Sequence, residues 1–203
     1  MQKATKADER LVIDIIAESF PYNPSVLSVI KNDKKEPQRM RWLAQYVFRT
    51  ALRRNAIFIS SDRTGVAVCY RFNSHKENLM DYWNQLLLAF TAIGIERIFK
   101  VLKRDSYVKK QRPKSGNFMY FWFFGVSNAG KGKGAAYELQ KAVFEDAEKQ
   151  NLPIYLETSI AKNKRVYERF GFEVYHTWDY QSEGITLWFM RSQPTLERAA
   201  RSV

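Results

Sequence analysis

The chain has little cysteine, little histidine and few acids. It contains one cysteine, Cys69, and two histidines, His75 and His176, among 203 residues. One cysteine excludes an internal disulfide and a cysteine-rich metal site, and it fits the reducing cytoplasm where we expect the protein to work. Two histidines leave little for metal chemistry, so we expect no metal. The 33 lysines and arginines outnumber 21 acids, and the net charge of +12 favours an anionic partner: nucleic acid, a membrane surface or a phosphorylated cofactor.

Long apolar runs are also lacking. The strongest, at residues 86–95, is far short of the roughly 20 residues that cross a bilayer. The opening residues MQKATKADER are polar, so we expect no secretory signal. A composition of 45% hydrophobic and 15% aromatic residues is that of a folded protein. We therefore expect one soluble domain over residues 1–203, with no membrane partner.

Hydrophobic spacing divides the first half into helices and strands. It predicts helices at residues 6–20, 25–31 and 36–54. The runs AIFISS and GVAVCYRF, separated by turn residues, predict a β-hairpin. Residues 80–102 are bulky and almost continuously apolar, so we expect one or two helices that pack on something or cover a cleft. They lie in a helical insertion at about residues 77–112.

The second half begins with the strongest strand candidate, NFMYFWFFGV, whose apolar character predicts a central strand covered on both faces. A glycine-rich loop and a helix follow, with Ala136, Leu139, Val143 and Ala147 on one stripe. PIYLET predicts another buried strand, and a helix at residues 162–170 should end at Gly171. FEVYHTW and ITLWFMR predict a terminal hairpin, and residues 192–203 a frayed tail. Together the elements predict one α/β domain.

The loop in FFGVSNAGKGKGAAYELQ poses the main question about function. From Gly125 it fits G-x-x-x-x-G-K, but Gly132 stands where a nucleotide-triphosphate loop needs a hydroxyl for magnesium. Gly130, Gly132 and Gly134 are more glycines than a bend requires, which indicates that a ligand approaches the backbone closely. Amides of residues 131–136 at the start of a helix suit a phosphate without a metal.

Two motifs resemble the GNAT superfamily of N-acetyltransferases. VSNAGKGKGAA is similar to the acyl-CoA pyrophosphate loop, with Lys131, Gly134 and Ala136 at the pattern positions. Lys131 replaces the usual Gln or Arg and Asn128 a frequent proline, but neither change removes a backbone amide. LPIYLETSIAKNKRVYERFGFEV resembles the second signature of the family. In it, Asn163 and Tyr167 are four residues apart and share one helical face.

The resemblance implies a fold of the α/β (α+β) class, with a mixed, mostly antiparallel central sheet flanked by helices and a helical insertion before the central strand. It also implies acetyl-CoA as co-substrate, without a metal, and a small-molecule primary amine as acceptor. The residues that it assigns to acetyl-CoA are Phe124, Val126, Lys131, Gly132, Lys133, Gly134, Ala135, Ala136, Asn163 and Tyr167.

The reaction of the family is direct acyl transfer, and it needs three roles. A backbone N–H near Val126 would polarise the thioester carbonyl. The hydroxyl of Tyr167 would protonate the leaving thiolate. A base must deprotonate the ammonium, and Glu157 is the first candidate and Tyr120 the second. Glu157 as a carboxylate tied to amides or to a basic side chain is an equal alternative, whereas His176 is interpreted as a surface or packing residue.

Other functions stay open. The basic run FKVLKRDSYVKKQRPK allows nucleic-acid binding, although a solvated helix end and loop is the simpler interpretation. A non-catalytic acyl-CoA-binding protein is the other alternative. NFMYFWFFGVSN and LETS look most like small-amine, puromycin-type acetyltransferases, and an aromatic wall of Tyr120, Trp122, Tyr82 and Trp83 would shape the acceptor pocket. We expect a monomer or a homodimer.

Overall fold

The strands and helices alternate along the chain in a mixed α/β order. A computed structural model describes residues 1–194. The strands are β1 (Gln2–Lys3), β2 (Ile57–Ile59), β3 (Gly65–Arg71), β4 (Met119–Val126), β5 (Ile154–Thr158), β6 (Glu173–Tyr180) and β7 (Ile185–Ser192). The α-helices are α1 (Glu9–Ser19), α2 (Pro24–Leu27), α3 (Glu36–Arg53), α4 (Leu79–Leu88), α5 (Ile98–Lys110), α6 (Ala135–Lys149) and α7 (Ala161–Arg169).

All seven strands form one sheet in the order β1-β2-β3-β4-β5-β7-β6. Every neighbouring pair is antiparallel except β4 and β5, which run parallel. This pair is parallel because α6 returns the chain to the same end of the sheet. The prediction of a mixed, mostly antiparallel sheet flanked by helices is therefore confirmed.

The parallel pair separates soon after it forms. β4 and β5 pair only at Met119 with Ile154 and at Tyr120 with Tyr155. β4 then continues to Val126 along β3, while β5 continues along β7. Since no further pairing joins β4 to β5 within the described residues, a split opens in the middle of the sheet.

Helices cover both faces of the sheet and create two main cores. The α1 and α3 face buries Val12, Ile16, Val47 and Phe48 against the strands, and Tyr120 and Tyr155 point to this side. The α6 face contains Met119, Phe121, Leu139 and Val143, with Tyr167 packed against them. The adjacent residues Tyr155 and Leu156 belong to opposite cores, as alternation along a strand requires.

Most of the predicted elements are confirmed. The hairpins β2–β3 and β6–β7 are antiparallel pairs, and Gly171 has a positive φ of 84° after α7. Two details differ. The buried stripe of α6 begins at Ala135 while Ala136 is exposed, and Ser192, expected in the tail, lies in β7 because it pairs with Ile154. Residues 195–203 of the predicted tail lie outside the described residues.

The helical insertion packs on the body of the protein only in part through its bulky residues. We expected its bulky residues to pack or to cover a cleft, yet Leu79, Trp83, Leu86 and Phe90 are exposed at positions that share one stripe. The polar residues Asp81 and Asn84 of α4 are buried instead. Despite this exposed stripe, none of the helices within residues 1–194 is long and apolar enough to cross a membrane.

Asp81 fixes α4 to the body of the protein. Its carboxylate accepts hydrogen bonds from the Arg53 guanidinium, from His75 Nε2 at 2.9 Å and from the Asn78 N–H at 3.0 Å. Burial alone would raise the pKa of Asp81, but these donors outweigh it and lower the pKa from 3.8 to about 2. The charged carboxylate is therefore the form that stabilises the fold.

Replacing this carboxylate should destabilise the protein in a pH-dependent way. A lowered pKa in the folded state means that the stabilisation is fully present above pH 3.8 and is lost as the pH falls toward 2. Asp81→Asn should lower the free energy of unfolding by about 2 kcal/mol at pH 7. Urea unfolding at pH 7 and pH 3 should give a smaller difference from wild type at pH 3. The half-exposed Asp105→Asn is the control. An equal loss of stability at both pH values in Asp81→Asn would contradict the assignment.

Candidate active site

The glycine-rich loop turns the chain from β4 into α6. Gly130 is needed for packing, because a Cβ there would lie 2.0 Å from Thr64 Oγ1. Gly132 and Gly134 have positive φ values of 77° and 88°, and no atom lies within 4 Å of a Cβ built at either position. Two of the three glycines therefore keep an open, left-handed backbone at the start of the helix, as a closely bound ligand requires.

This loop presents backbone donors and positive charge. The amides of Gly132, Gly134, Ala135 and Ala136 have no acceptor among the described residues, whereas the Lys133 amide donates to Gly130 O at 3.2 Å. The first amides of a 15-residue helix carry the positive end of its dipole. Lys131 and Lys133 are exposed beside them. Glu138, the acid in the first turn of α6, is held by the N-terminal ammonium at 2.9 Å and by Ser61, so the loop fits an anionic phosphate group.

Strand β4 directs two more donors into the split. The Ser127 N–H donates to Thr64 O at 2.8 Å, so the amides of Phe124 and Val126, which alternate with it, point away from β3 and toward the separated β5. Trp122 has no partner on β3, since Val68 pairs with Phe123 and Cys69 with Phe121. Trp122 is therefore a β-bulge in β4, and it lies where β4 and β5 diverge.

Tyr167 lies on the α6 face of the split. Its ring makes edge contacts with Phe121 and Phe172 at centroid distances of 6.4 and 5.6 Å. Burial raises the pKa of Tyr167, so the hydroxyl stays protonated at neutral pH and can donate. Asn163 is half-buried one turn earlier on α7. No residue within 1–194 forms a hydrogen bond with the Tyr167 hydroxyl.

Glu157 and Tyr120 meet on the opposite face. The Tyr120 hydroxyl donates to Glu157 Oε2 at 2.7 Å, and Arg112 donates to both carboxylate oxygens, from Nε at 3.0 Å and from Nη2 at 3.3 Å. The Arg112 guanidinium also lies 3.9 Å above the Tyr120 ring. Burial raises the pKa of Tyr120 well above its usual range, so it is a neutral phenol. The carboxylate is thus tied to a basic side chain, one of the two alternatives that the sequence left open.

The aromatic wall has a different composition from the one we expected. Trp122 contacts Tyr46 and Tyr70, at centroid distances of 6.0 and 6.1 Å, and Tyr70 contacts Tyr120 at 5.7 Å. Tyr82 and Trp83 are instead more than half exposed on α4. They do not join the wall because α4 turns its polar residues inward. His176 packs against Phe189 and lies 3.0 Å from the Tyr107 hydroxyl.

Two arginines of the basic run turn inward, against our interpretation of a solvated surface. Arg112 binds Glu157, and Arg104 Nη2 donates to Ser25 Oγ at 2.5 Å. Arg104, Val108 and Arg112 are four residues apart along α5 and its C-terminal end, and Val108 is buried. This spacing was the available signal for both arginines, which the sequence analysis did not single out.

The segment that joins α1 to α2 crosses the split from one strand to the other. The Ser19 hydroxyl donates to Val126 O at 3.2 Å at the end of β4. The Ser25 N–H donates to Ser159 Oγ at 3.1 Å just after β5. The split is therefore bounded by this segment on the α1 face and by α6 and α7 on the other.

Comparison with known proteins agrees with this architecture. Residues 107–193 match the model of the acetyltransferase (GNAT) domain. Residues 107–193 are therefore assigned to a GNAT acetyltransferase domain. The match supports an acyltransferase, and it spans the glycine loop and both strands that border the split.

The similarity to known proteins extends over most of the chain. An uncharacterized N-acetyltransferase of Schizosaccharomyces pombe is 25% identical over 184 residues, covering 83% of this chain and 72% of the relative. A histone acetyltransferase HPA2-related structure from Corynebacterium glutamicum has a TM-score of 0.65 at 18% identity, covering 96% and 95% of the two chains. Arylalkylamine N-acetyltransferase 2 from Aedes aegypti has a TM-score of 0.62 at 17% identity, covering 95% and 97%.

The described chain offers no cluster of metal ligands. Among residues 1–194, no three His, Cys, Asp or Glu side chains are grouped to hold a metal ion. Cys69 is buried in β3, and burial raises the pKa of its thiol. A buried, protonated thiol is a poor nucleophile, so Cys69 is not suited to carry an acyl group.

Proposed function

We propose that the protein transfers an acetyl group from acetyl-CoA to a primary amine by direct attack. The observation that supports this most is the split between β4 and β5, which has free amides and the start of α6 on one side and a buried polar cluster on the other. The inertness of Cys69 favours direct transfer over an acylated enzyme. The amine acceptor is supported by the GNAT domain and by the arylalkylamine acetyltransferase of similar fold.

The chemistry of the donors fits acetyl-CoA, which supplies an acetyl group activated as a thioester. The amides of Gly132, Gly134, Ala135 and Ala136, with Lys131 and Lys133, would hold its pyrophosphate. The amide of Phe124 would bind its amide-containing arm, as would Asn163. The Val126 N–H would donate to the acetyl carbonyl oxygen as negative charge develops there.

Tyr120 and Glu157 would prepare the amine. An ammonium of pKa about 10.4 must lose a proton before it can attack. Tyr120 would accept that proton at its phenolic oxygen while its own proton moves along the 2.7 Å hydrogen bond to Glu157. In this proposal Arg112 positions the carboxylate, and Glu157 and Tyr120 act as one unit instead of as competing bases.

Tyr167 would act on the leaving sulfur. A thiol has a pKa of about 8.5, so complete proton transfer to a thiolate from a phenol of raised pKa is uphill. We therefore assign Tyr167 mainly as a hydrogen-bond donor to the charge that develops on sulfur. The proton that converts this sulfur to the thiol is the second one that the attacking nitrogen loses when the amide forms.

The test is calorimetric titration with acetyl-CoA at low and moderate salt, followed by measurement of amine-dependent thiol release. We expect one binding site that weakens only modestly with salt, and thiol release with at least one arylalkylamine. Binding without release for any amine would favour a non-catalytic acyl-CoA-binding protein. No binding of acetyl-CoA, together with steeply salt-dependent binding of nucleic acid, would overturn the proposal.

A further inference from the structure

Arg104 is a half-buried cation without a carboxylate partner. Its one hydrogen bond in the described structure runs from Nη2 to the neutral Ser25 hydroxyl. Its Nε is buried and has no hydrogen-bond partner in the described chain. The adjacent carboxylate, Asp105, pairs with Lys109 at 2.8 Å instead. Arg104 therefore keeps an unneutralised charge and an unused donor.

The arginines that flank α5 each have a carboxylate partner, although the buried Nε of Arg97 also lacks a hydrogen-bond partner in the described chain. Arg112 lies two helical turns further on and is neutralised by Glu157. Arg97, at the start of the same helical segment, lies 3.8 Å from Glu183 and also donates to Ser28 O at 2.7 Å. Arg104 lies between them and has no carboxylate within ion-pair distance among residues 1–194.

A partly buried guanidinium without an anionic partner is energetically unfavourable unless a ligand supplies the anion. Moving a guanidinium out of water is costly, and paired anions normally offset that cost. Burial lowers the pKa of Arg104, in keeping with its incomplete compensation. An uncompensated cation beside the split is a candidate for binding an anionic group.

The position of Arg104 assigns it to the acceptor side of the split. It holds Ser25, whose N–H binds Ser159 at the end of β5. It interacts electrostatically with Tyr120 and Glu157, the pair that we propose to act on the amine. Tyr167 and the glycine loop lie on the other face, so Arg104 is placed to contact the acceptor rather than acetyl-CoA.

We propose that the acceptor is an amine that also carries a carboxylate, and that Arg104 binds this carboxylate. The inference rests on the proposed acetyl transfer and names its substrate class. One guanidinium matches the single charge of a carboxylate, whereas a phosphate group carries nearly two charges at neutral pH. The aromatic wall beside Trp122 would contact the rest of the acceptor.

The experiment compares amines that differ in their anionic group. Tyramine, tyrosine, 4-aminobutyrate and phosphoethanolamine are titrated into the free protein and into protein saturated with CoA, which cannot react, and kcat/KM is then measured with acetyl-CoA. Wild type should prefer a carboxylated amine. Arg104→Gln should weaken the binding of the carboxylated amine and lower the kcat/KM for it by about tenfold or more. The kcat/KM for tyramine should change by less than about threefold. Arg104→Lys should be intermediate, and the exposed Lys103→Gln, which removes the same charge, should match wild type.

The other outcomes separate this inference from the proposed function. Turnover of tyramine without any preference for carboxylated amines would overturn the role of Arg104 and leave acetyl transfer intact. If Arg104→Gln lowers kcat/KM equally for all amines, Arg104 only holds Ser25 in place. If wild type prefers phosphoethanolamine and Arg104→Gln loses that preference, Arg104 binds phosphate. Either result contradicts the inference. Failure of acetyl-CoA to bind would instead remove the proposed function, and the inference with it.

Discussion

Replacement of Gly134 by glutamate is expected to abolish acetyl-CoA binding. The residue precedes α6 with a φ of 88°, and the space around its Cα is open. A glutamate there would place a carboxylate among the amides of Gly132, Ala135 and Ala136, where the pyrophosphate is proposed to bind. The repulsion and the lost contacts should weaken binding by on the order of 100-fold or more in calorimetry.

A matched control separates this effect from backbone strain. Gly184 also has a positive φ, 63°, in an open turn between β6 and β7. Gly184→Glu adds the same side chain and charge, and each substitution should cost about 1 kcal/mol of stability. Only Gly134→Glu should lose acetyl-CoA. Normal affinity in Gly134→Glu would remove the loop from the binding site.

Tyr167→Phe is expected to reduce turnover strongly while leaving acetyl-CoA binding in place. The substitution keeps the ring contacts with Phe121 and Phe172 and removes only the hydroxyl. Loss of one donor at a developing charge should lower kcat by about 100-fold. The dissociation constant of acetyl-CoA should stay within about twofold.

Two further observations sharpen the Tyr167 test. The control is Tyr82→Phe on the exposed stripe of α4, which should have wild-type kinetics. Because burial raises the pKa of Tyr167, the hydroxyl is protonated over the neutral range, and the loss should be similar from pH 6 to 9. If kcat is unchanged, Tyr167 has no role in the reaction.

The sequence allowed the fold and the loop to be predicted because local signals were strong there. Glycines at positive φ, an amphipathic α6 and the alternating strands are set by short-range chemistry. The NFMYFWFFGV run also indicated a central strand. Its separation from β5 after Tyr120 was not predictable from this pattern, since strand register depends on partners far along the chain.

The acceptor side was harder to predict because a charged side chain can either be solvated at the surface or be buried with a partner. A basic run is usually solvated, and only the four-residue spacing of Arg104, buried Val108 and Arg112 distinguishes the inward face of α5. The exposed stripe of α4 was hard to predict for a similar reason. An apolar residue such as Trp83 looks the same in a sequence whether it is buried or exposed. Only the polar residue Asp81, which the structure shows to be buried, pointed to the other face of α4 as the inward one.

The two sides of the sheet also have a kinetic consequence under the proposed function. The loop and Tyr167 lie on the α6 face, whereas Tyr120, Glu157 and Arg104 lie on the face covered by α1, α3 and α5. The split connects these faces, so each substrate has its own route to the point of transfer. Neither has to leave before the other arrives, and a ternary complex can form with substrates added in either order.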